Sequence, residues 1–233
     1  MRINKYIAHA GYCSRRKADD LVKKGKVRVN GKIERDLSRQ VDEGDEVKIA
    51  DISLDLKREK YYLAFNKPLD VVCSNKDKFN KRTIFDYIDI EEKLFSIGRL
   101  DKNSEGLILI TNDGDLYNRV MHPSANIDKY YRVKVKPLVG EKDVERLESG
   151  VDIGGYITKS CRCKLIKNSK DYSYLDVVIH EGKNRQIRRM FKALGYEVAS
   201  LKRYRIGNVR IGELKVGKYR HLNKIEVEQL KNS

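Results

Sequence analysis

A short apolar segment that follows a lone carboxylate constrains the fold of this chain most strongly. Residues 106–111 read GLILIT, a run with the length and β-branched content of a buried strand. A polar segment with Asp101 precedes the run, and residues 112–114 (NDG) predict a turn after it. We therefore expect Asp101 at the edge of a rigid element, where catalytic groups are commonly held. A simple turn aspartate would have the same spacing.

The chain beyond residue 60 combines predicted strands with fewer predicted helices. The sequence NKP at residues 66–68 predicts a turn, and Gly195 is expected to end a helix. Together these patterns predict an α+β catalytic domain over residues 61–233, with a largely antiparallel sheet flanked by helices. Apolar periodicity predicts strands at residues 61–65, 131–135 and 175–179, and helices at residues 143–149 and 185–194.

The first fifty residues predict a separate small domain of two helices and several strands. Helical spacing of apolar residues ends at Gly11, and Ser14 is a good N-cap for a second helix that ends at Gly25. Asn-Gly at residues 30–31 predicts a hairpin, and residues 47–49 predict a further strand. Residues 51–60 show no clear element, so we interpret them as a linker between domains 1–50 and 61–233.

The distribution of charge predicts a polyanionic partner. The formal net charge is +16, and residues 1–35 contain eleven Lys and Arg against three Asp and Glu. Residues 183–221 contain twelve against two, whereas residues 36–60 are net acidic. A protein this basic usually binds nucleic acid, although a generally cationic surface is the alternative. Two separate basic blocks indicate two contact surfaces or one composite surface.

Several protein classes do not fit the sequence. No apolar stretch reaches membrane-spanning length, and charged residues interrupt the N-terminal region where a secretory segment would lie. The four cysteines form no Cys-x-x-Cys pair, which argues against zinc and thioredoxin-type sites. Cys161 and Cys163 have strand spacing, so both are expected to face a core. Free thiols predict a reducing cytoplasm.

The N-terminal pattern resembles an S4 RNA-binding domain over residues 2–49. The strings RINKYI at 2–7, SRRKA at 14–18 and VRVNG at 27–31 carry the resemblance. In S4 domains, basic residues at the start of the second helix meet the RNA backbone, where free N–H donors also favour phosphate. A solvated basic helix face is the alternative. The resemblance implies RNA contacts from Arg2, Lys5, Arg15, Arg16 and Lys17.

Five short strings recur along the rest of the chain in a recognisable order: FNKP at 65–68, GRLD at 98–101, KYYRV at 129–133, EGKNRQIRRM at 181–190 and LKR at 201–203. With these strings the chain resembles the pseudouridine synthases of the RsuA/RluB/RluE/RluF group, and its sequence is most similar to the RluF branch. The resemblance implies that Asp101 is the catalytic carboxylate, that Tyr131 is the active-site tyrosine and that Arg188 forms an ion pair with Asp101. It further implies substrate contacts from Arg99, Ile187, Leu201, Arg185, Arg189 and Lys67.

The resemblance also implies a reaction and its partners. A pseudouridine synthase isomerises uridine without gaining or losing atoms, so neither a metal nor a cofactor is expected. The resemblance implies a monomeric enzyme whose partner is ribosomal RNA. Large-subunit RNA is the first candidate, with small-subunit RNA or tRNA as alternatives. A non-catalytic S4-type ribosome-associated protein is a rival from another class. A methyltransferase would need a Gly-rich cofactor loop, and the pair at residues 154–155 opens no predicted helix.

Overall fold

The structure is a computed structural model that describes residues 1–56, 59–74 and 82–232. The chain divides into two compact units. The first contains Met1–Tyr61, with Glu91–Lys93 and Asn112–Gly114, and the second contains the remaining residues. Within the described ranges, no helix is long and apolar enough to cross a membrane.

The first unit contains two helices and a four-stranded antiparallel sheet. Helices α1 (Ile3–His9) and α2 (Arg15–Lys23) precede β1 (Val27–Val29), β2 (Lys32–Glu34), β3 (Val47–Ile49) and β4 (Ile52–Ser53), which pair in the order β2-β1-β3-β4. The predicted cap of α2 is confirmed, because the Ser14 hydroxyl accepts a hydrogen bond from the Lys17 N–H. The hairpin is also confirmed: Asn30 and Gly31 have φ angles of 49° and 78°.

The expectation that residues 51–60 lack a regular element is wrong for their first part. Strand β4 pairs antiparallel with β3, and Leu54 is only 7% exposed in the core of the first unit. The turn into β4 uses Ala50 and Asp51 at positive φ rather than glycine. A two-residue strand after such a turn has no periodic signal in the sequence. Residues 57–58 of the predicted linker lie outside the described ranges.

The second unit is a nine-stranded mixed sheet with helices. Its main path runs β13-β5-β7-β11-β8-β10-β9, and among the strands of the described ranges only β7 and β11 pair in parallel. The predicted α+β class and largely antiparallel sheet are therefore confirmed. The strands are β5 (Tyr62–Lys67), β6 (Phe95–Ile97), β7 (Glu105–Thr111), β8 (Lys129–Lys136), β9 (Arg162–Ser169), β10 (Tyr172–Ile179), β11 (Glu197–Ile206), β12 (Val209–Arg210) and β13 (Tyr219–His221).

The helices of this unit are α3 (Gly114–Met121), α4 (Glu141–Ser149), α5 (Gln186–Ala193) and α6 (Lys224–Lys231), with 3-10 turns at Ile84–Tyr87 and Pro123–Ala125. Helices α4 and α5 were both predicted, whereas residues 112–114 lead directly into the unpredicted α3. The predicted turn at residues 66–68 is wrong in its first two positions, because Asn66 and Lys67 end strand β5.

Strand β8 shows how the sheet separates a core face from a solvent face. Its residues Tyr131, Val133 and Val135 are buried with apolar side chains of α4 and α5. The alternate residues Arg132 and Lys136 are exposed. Cys161 and Cys163 also pack against this core, as predicted, and all four cysteines are free.

Candidate active site

A small cavity lies on the core face of the second unit, where the loop before β7 approaches β8, β11 and the start of α5. Its volume is about 140 Å³. A protein cavity of about 150 Å³ can hold a benzene ring. The cavity therefore matches one six-membered ring in size. Of the predicted site residues, the structure brings Arg99, Asp101, Tyr131, Arg185, Ile187 and Leu201 to its walls.

A buried lysine outside the cavity lining holds the loop that carries Asp101. Lys67 is 0% exposed, and its ammonium donates hydrogen bonds to the carbonyl oxygens of Pro68 (2.8 Å), Ser104 (2.7 Å) and Lys102 (3.5 Å). The Ser104 N–H in turn donates to the Asp101 carbonyl at 3.0 Å. Burial lowers the pKa of Lys67, although Asp101 is among the nearby groups that raise it. Lys67, predicted to contact the substrate, is thus placed behind the Asp101 loop and does not line the cavity.

Arg188 holds the same loop rather than the Asp101 carboxylate itself. Its guanidinium donates to the carbonyl oxygens of Asn103 (2.6 Å) and Val198 (3.1 Å), and to the Ser104 hydroxyl (3.3 Å). Among the described residues, no nitrogen of Arg188 lies within 4.0 Å of a carboxylate oxygen. Burial lowers the pKa of Arg188, and the nearby charge of Asp101 raises it. The expected direct ion pair is thus replaced by a longer-range attraction.

Tyr131 lies deep in the cavity and has an arginine partner that sequence analysis did not assign. Tyr131 is 7% exposed, and Arg203 Nη1 donates to its hydroxyl at 3.3 Å. The Arg203 Nε donates to the Leu107 carbonyl at 2.7 Å, which ties β11 to β7. Arg203 belongs to the LKR string at residues 201–203, so the signal for it was present although only Leu201 was given a role.

A close backbone approach joins β7 to β11 below the cavity. A Cβ built on Gly106 would lie 2.9 Å from the Arg203 nitrogen and closer still to its carbonyl oxygen. Gly106 also has φ +105°, which side chains rarely adopt.

Gly106→Ala is therefore expected to lower the free energy of unfolding by roughly 2–5 kcal/mol, from strain and overpacking together. Urea titration of the variant measures this loss. Gly140→Ala serves as the control, since a Cβ at Gly140 would meet no atom within 4 Å and φ is −87°, so its loss should stay below about 1 kcal/mol. Equal losses in both variants would contradict the role of the close approach.

Lys129 is a second wall residue of the cavity to which sequence analysis gave no role. Its ammonium donates to the carbonyl oxygens of Ile127 (3.0 Å) and His180 (3.2 Å). Burial lowers the pKa of Lys129 to about 8, and the positive charge of Arg203 lowers it further. No carboxylate pairs with this ammonium within 4.0 Å among the residues described.

The lowered pKa of Lys129 predicts a pH-dependent stability. Between about pH 8 and 10.5 the unfolded chain binds a proton that the folded protein has lost, so the free energy of unfolding should rise with pH. Lys129→Met should remove roughly 1–3 kcal/mol of that rise. Urea titrations at several pH values test this, with the exposed Lys142→Met as the control. If the free energy of unfolding of Lys129→Met rose with pH as much as that of the wild type, the lowered pKa of Lys129 would not be the cause of the rise.

The remaining predicted contact residues lie at the cavity mouth, on its apolar walls or outside the cavity. Arg99 and Arg185 are exposed at the mouth, whereas Ile187 and Leu201 form apolar walls. Arg189 does not line the cavity, because its guanidinium donates to the carbonyl oxygens of Ile153 and Gly154. The structure therefore places Arg189 apart from the cavity, where its substrate contact was predicted. In the first unit, Arg15, Arg16 and Lys17 are exposed at the start of α2, Arg2 is exposed before α1 and Lys5 is half-buried.

Comparison with known proteins matches both parts of the chain. The sequence model for RNA pseudouridylate synthase matches residues 61–193, and that for the S4 domain matches residues 1–47. The chain is 38% identical to a Bacillus subtilis (strain 168) protein named ribosomal large subunit pseudouridine synthase B, over 99% of this chain and 95% of the relative. It is 36% identical to the Escherichia coli (strain K12) dual-specificity RNA pseudouridine synthase RluF, over 99% of this chain and 78% of the relative.

A solved structure agrees with these sequence matches. The crystal structure of a pseudouridylate synthase superposes with a TM-score of 0.72 at 33% identity, and the match covers 99% of both chains. Asp101 and Tyr131 of the cavity lie in the part of the chain that matches the synthase sequence model. This chain is therefore a pseudouridine synthase of the RNA pseudouridylate synthase family, with an S4 domain at its N-terminus.

Proposed function

We propose that this enzyme isomerises a uridine of large-subunit ribosomal RNA to pseudouridine, with Asp101 as the catalytic carboxylate. The observation that carries the proposal is the cavity sized for one ring, with Asp101 and Tyr131 on its walls. The B. subtilis relative is named for the large ribosomal subunit, which supports that RNA as the substrate class. The dual-specificity name of the E. coli relative makes tRNA the second candidate.

The chemistry requires that one glycosidic bond breaks and another forms at the same sugar carbon. The N1–C1′ bond of uridine breaks, the detached uracil turns, C5 bonds to C1′, and the C5 proton is lost while N1 gains one. Ionised Asp101 can serve in either of two ways. It adds to C1′, as in the covalent step of a retaining glycosidase, or it removes the 2′ proton to give a glycal. In both cases, water must be kept from the reacting carbon.

Lys67 and Arg188 position Asp101 rather than react. The two cations bind carbonyl groups of the Asp101 loop at residues 102–104. The Nε atom of Arg188 is buried and has no hydrogen-bond partner among the described residues, so it is a donor available to the carboxylate. Because the loop is held from below, the carboxylate stays in place while the uracil turns.

The walls of the cavity provide the binding of the base. Tyr131 stacks on the uracil ring and relays the proton that C5 loses, with Arg203 orienting its hydroxyl. Ile187 and Leu201 form the apolar wall. The uridine enters by flipping out of its RNA, and Arg99 at the mouth stacks in the space that the base leaves. Arg185 contacts the adjacent phosphate.

The S4 domain acts as an RNA anchor in this proposal. Arg15, Arg16 and Lys17 stand exposed on the first turn of α2, where free backbone N–H groups also attract phosphate. Arg2 and Lys5 of the first helix region add two further positive charges.

Tritium release from C5-labelled uridine tests the proposed function. Large-subunit ribosomal RNA, small-subunit ribosomal RNA and tRNA are transcribed with labelled uridine and incubated with the purified enzyme. Release from the large-subunit RNA alone supports the proposal, and sequencing then locates the modified position. Release from small-subunit RNA or tRNA instead would contradict the proposed substrate while leaving the isomerisation intact.

A further inference from the structure

The solvent face of the second sheet carries an ordered array of cations and tyrosine rings. Strand β8 alternates, so that Tyr131 points to the cavity while Lys134 stands on the opposite side of the sheet. We use the name open face for the side chains on that side from β8, β9 and β10, chiefly Lys134, Lys164, Lys167, Tyr172 and Tyr174. Each of them is exposed or half-buried.

Tyrosine rings contact two of the three lysines of the open face, Lys134 and Lys167. The Lys134 ammonium lies 3.9 Å from the centre of the Tyr172 ring and 5.7 Å from that of Tyr174. The Lys167 ammonium lies 5.0 Å from the centre of the Tyr174 ring. Such cation–π contacts limit the motion of long side chains. Binding an anion to lysines that are already ordered loses less side-chain entropy.

The charges on this side of the sheet are only partly neutralised. Carboxylates pair with the flanking cations: Asp176 with Arg132 at 2.6 Å, and Glu197 with Lys136 at 3.0 Å. The remaining three, Lys134, Lys164 and Lys167, have no carboxylate within 4.0 Å in the described ranges. Lys164 stands opposite Asp176 in the register of β9 and β10, but the two oxygens of that carboxylate accept hydrogen bonds from Arg132 at 2.6 and 3.0 Å. The three lysines therefore leave the open face with an excess of positive charge.

We propose that the open face binds the phosphate backbone of a second segment of the RNA substrate, on the side of the sheet opposite to the cavity. The proposal rests on the proposed function for the identity of the RNA. Charge complementarity favours a polyanion, and tyrosines interleaved with cations are the surface that binds nucleic acid without reading its sequence. Contacts of this kind position the enzyme and strengthen binding, while the specificity for the target uridine stays with the cavity.

The salt dependence of RNA binding tests the open face. Filter binding with transcribed large-subunit ribosomal RNA measures the dissociation constant between about 50 and 300 mM salt. In the triple variant Lys134→Ala/Lys164→Ala/Lys167→Ala, the slope of log K against log salt should fall by about two, because each phosphate contact with a single strand contributes about 0.7. Affinity at about 0.1 M salt should fall roughly 10- to 100-fold.

Matched variants distinguish the loss of a local RNA contact surface from a general loss of positive charge. Lys142→Ala/Lys224→Ala/Lys231→Ala removes three exposed lysines elsewhere in the second unit, outside the basic block of residues 183–221, and should leave the slope within about 0.5 of wild type. Replacing the three open-face lysines by Arg keeps the charge and should retain the wild-type slope. Circular dichroism and melting of each variant exclude misfolding. An unchanged slope in the open-face triple, or an equal fall in the control triple, would overturn the proposal.

Turnover measured in parallel distinguishes this proposal from the proposed function. The open-face triple should release tritium at the wild-type kcat when RNA is saturating, with only KM raised. If wild type releases no tritium from any RNA but the slope still falls by two, the open face stands and the proposed function fails. If wild type turns over large-subunit RNA and the slope of the triple is unchanged, the open face is wrong while the proposed function stands.

Discussion

Asp101→Asn is expected to lower turnover by roughly 10⁴-fold or more while RNA affinity changes by less than about twofold. An amide has neither the charge to add to C1′ nor the basicity to remove the 2′ proton, so both possible roles of the carboxylate are lost. The change adds no bulk, and the loop is held through backbone carbonyls rather than through the Asp101 side chain. Tritium release under single-turnover conditions and filter binding with the same RNA measure the two effects.

A second aspartate provides the control for this experiment. Asp171 is exposed in the turn between β9 and β10, so Asp171→Asn removes the same charge from the second unit outside the cavity. It should retain wild-type turnover. Residual activity of Asp101→Asn above about one-tenth of wild type would refute the role given to this carboxylate.

Lys67→Met is expected to lower turnover by roughly 100-fold and the free energy of unfolding by about 2–4 kcal/mol. Methionine fills most of the volume but leaves the carbonyl groups of Pro68 and Ser104 without their buried donor. The Asp101 loop then shifts, and a displacement of about 1 Å can cost 100-fold in rate. Because Lys67 is buried and does not line the cavity, we expect kcat to fall while KM stays near its wild-type value.

The neighbouring Lys102 is the control for Lys67. Its ammonium is half-exposed and pairs with the exposed Asp70 at 3.3 Å, so Lys102→Met should change stability by less than about 1 kcal/mol. Turnover is measured by tritium release, and stability by urea titration. A rise in KM at constant kcat for Lys67→Met would show that this lysine binds substrate after all.

Elements with strong local signals were predicted well. The cap at Ser14, the hairpin at residues 30–31 and the alternation along β8 all depend on interactions within a few residues. The turn at residues 66–68 was predicted on the same kind of signal and is wrong for Asn66 and Lys67. There the amide of Asn66 donates to the Leu214 carbonyl at 2.7 Å and Lys67 binds the Asp101 loop, so distant partners override the local preference.

The cavity residues follow from the sequence to a similar degree. Asp101, Tyr131, Ile187 and Leu201 were predicted from short strings that resemble those of the family, and the structure places all four on one cavity. The roles of these residues in catalysis stay predictions until the variants above are measured.

The sequence by itself determined the family, the α+β class and six of the residues that line the cavity, because these depend on local patterns and matching strings. Only the tertiary structure decided what the long cationic side chains do. The prediction was that Lys67 and Arg189 contact the substrate and that Arg188 pairs with the Asp101 carboxylate. Each of the three instead donates to backbone carbonyl groups 35 to 85 residues away in sequence. Long flexible side chains reach partners that no local pattern encodes, and buried carbonyl groups and ammonium or guanidinium groups must satisfy one another.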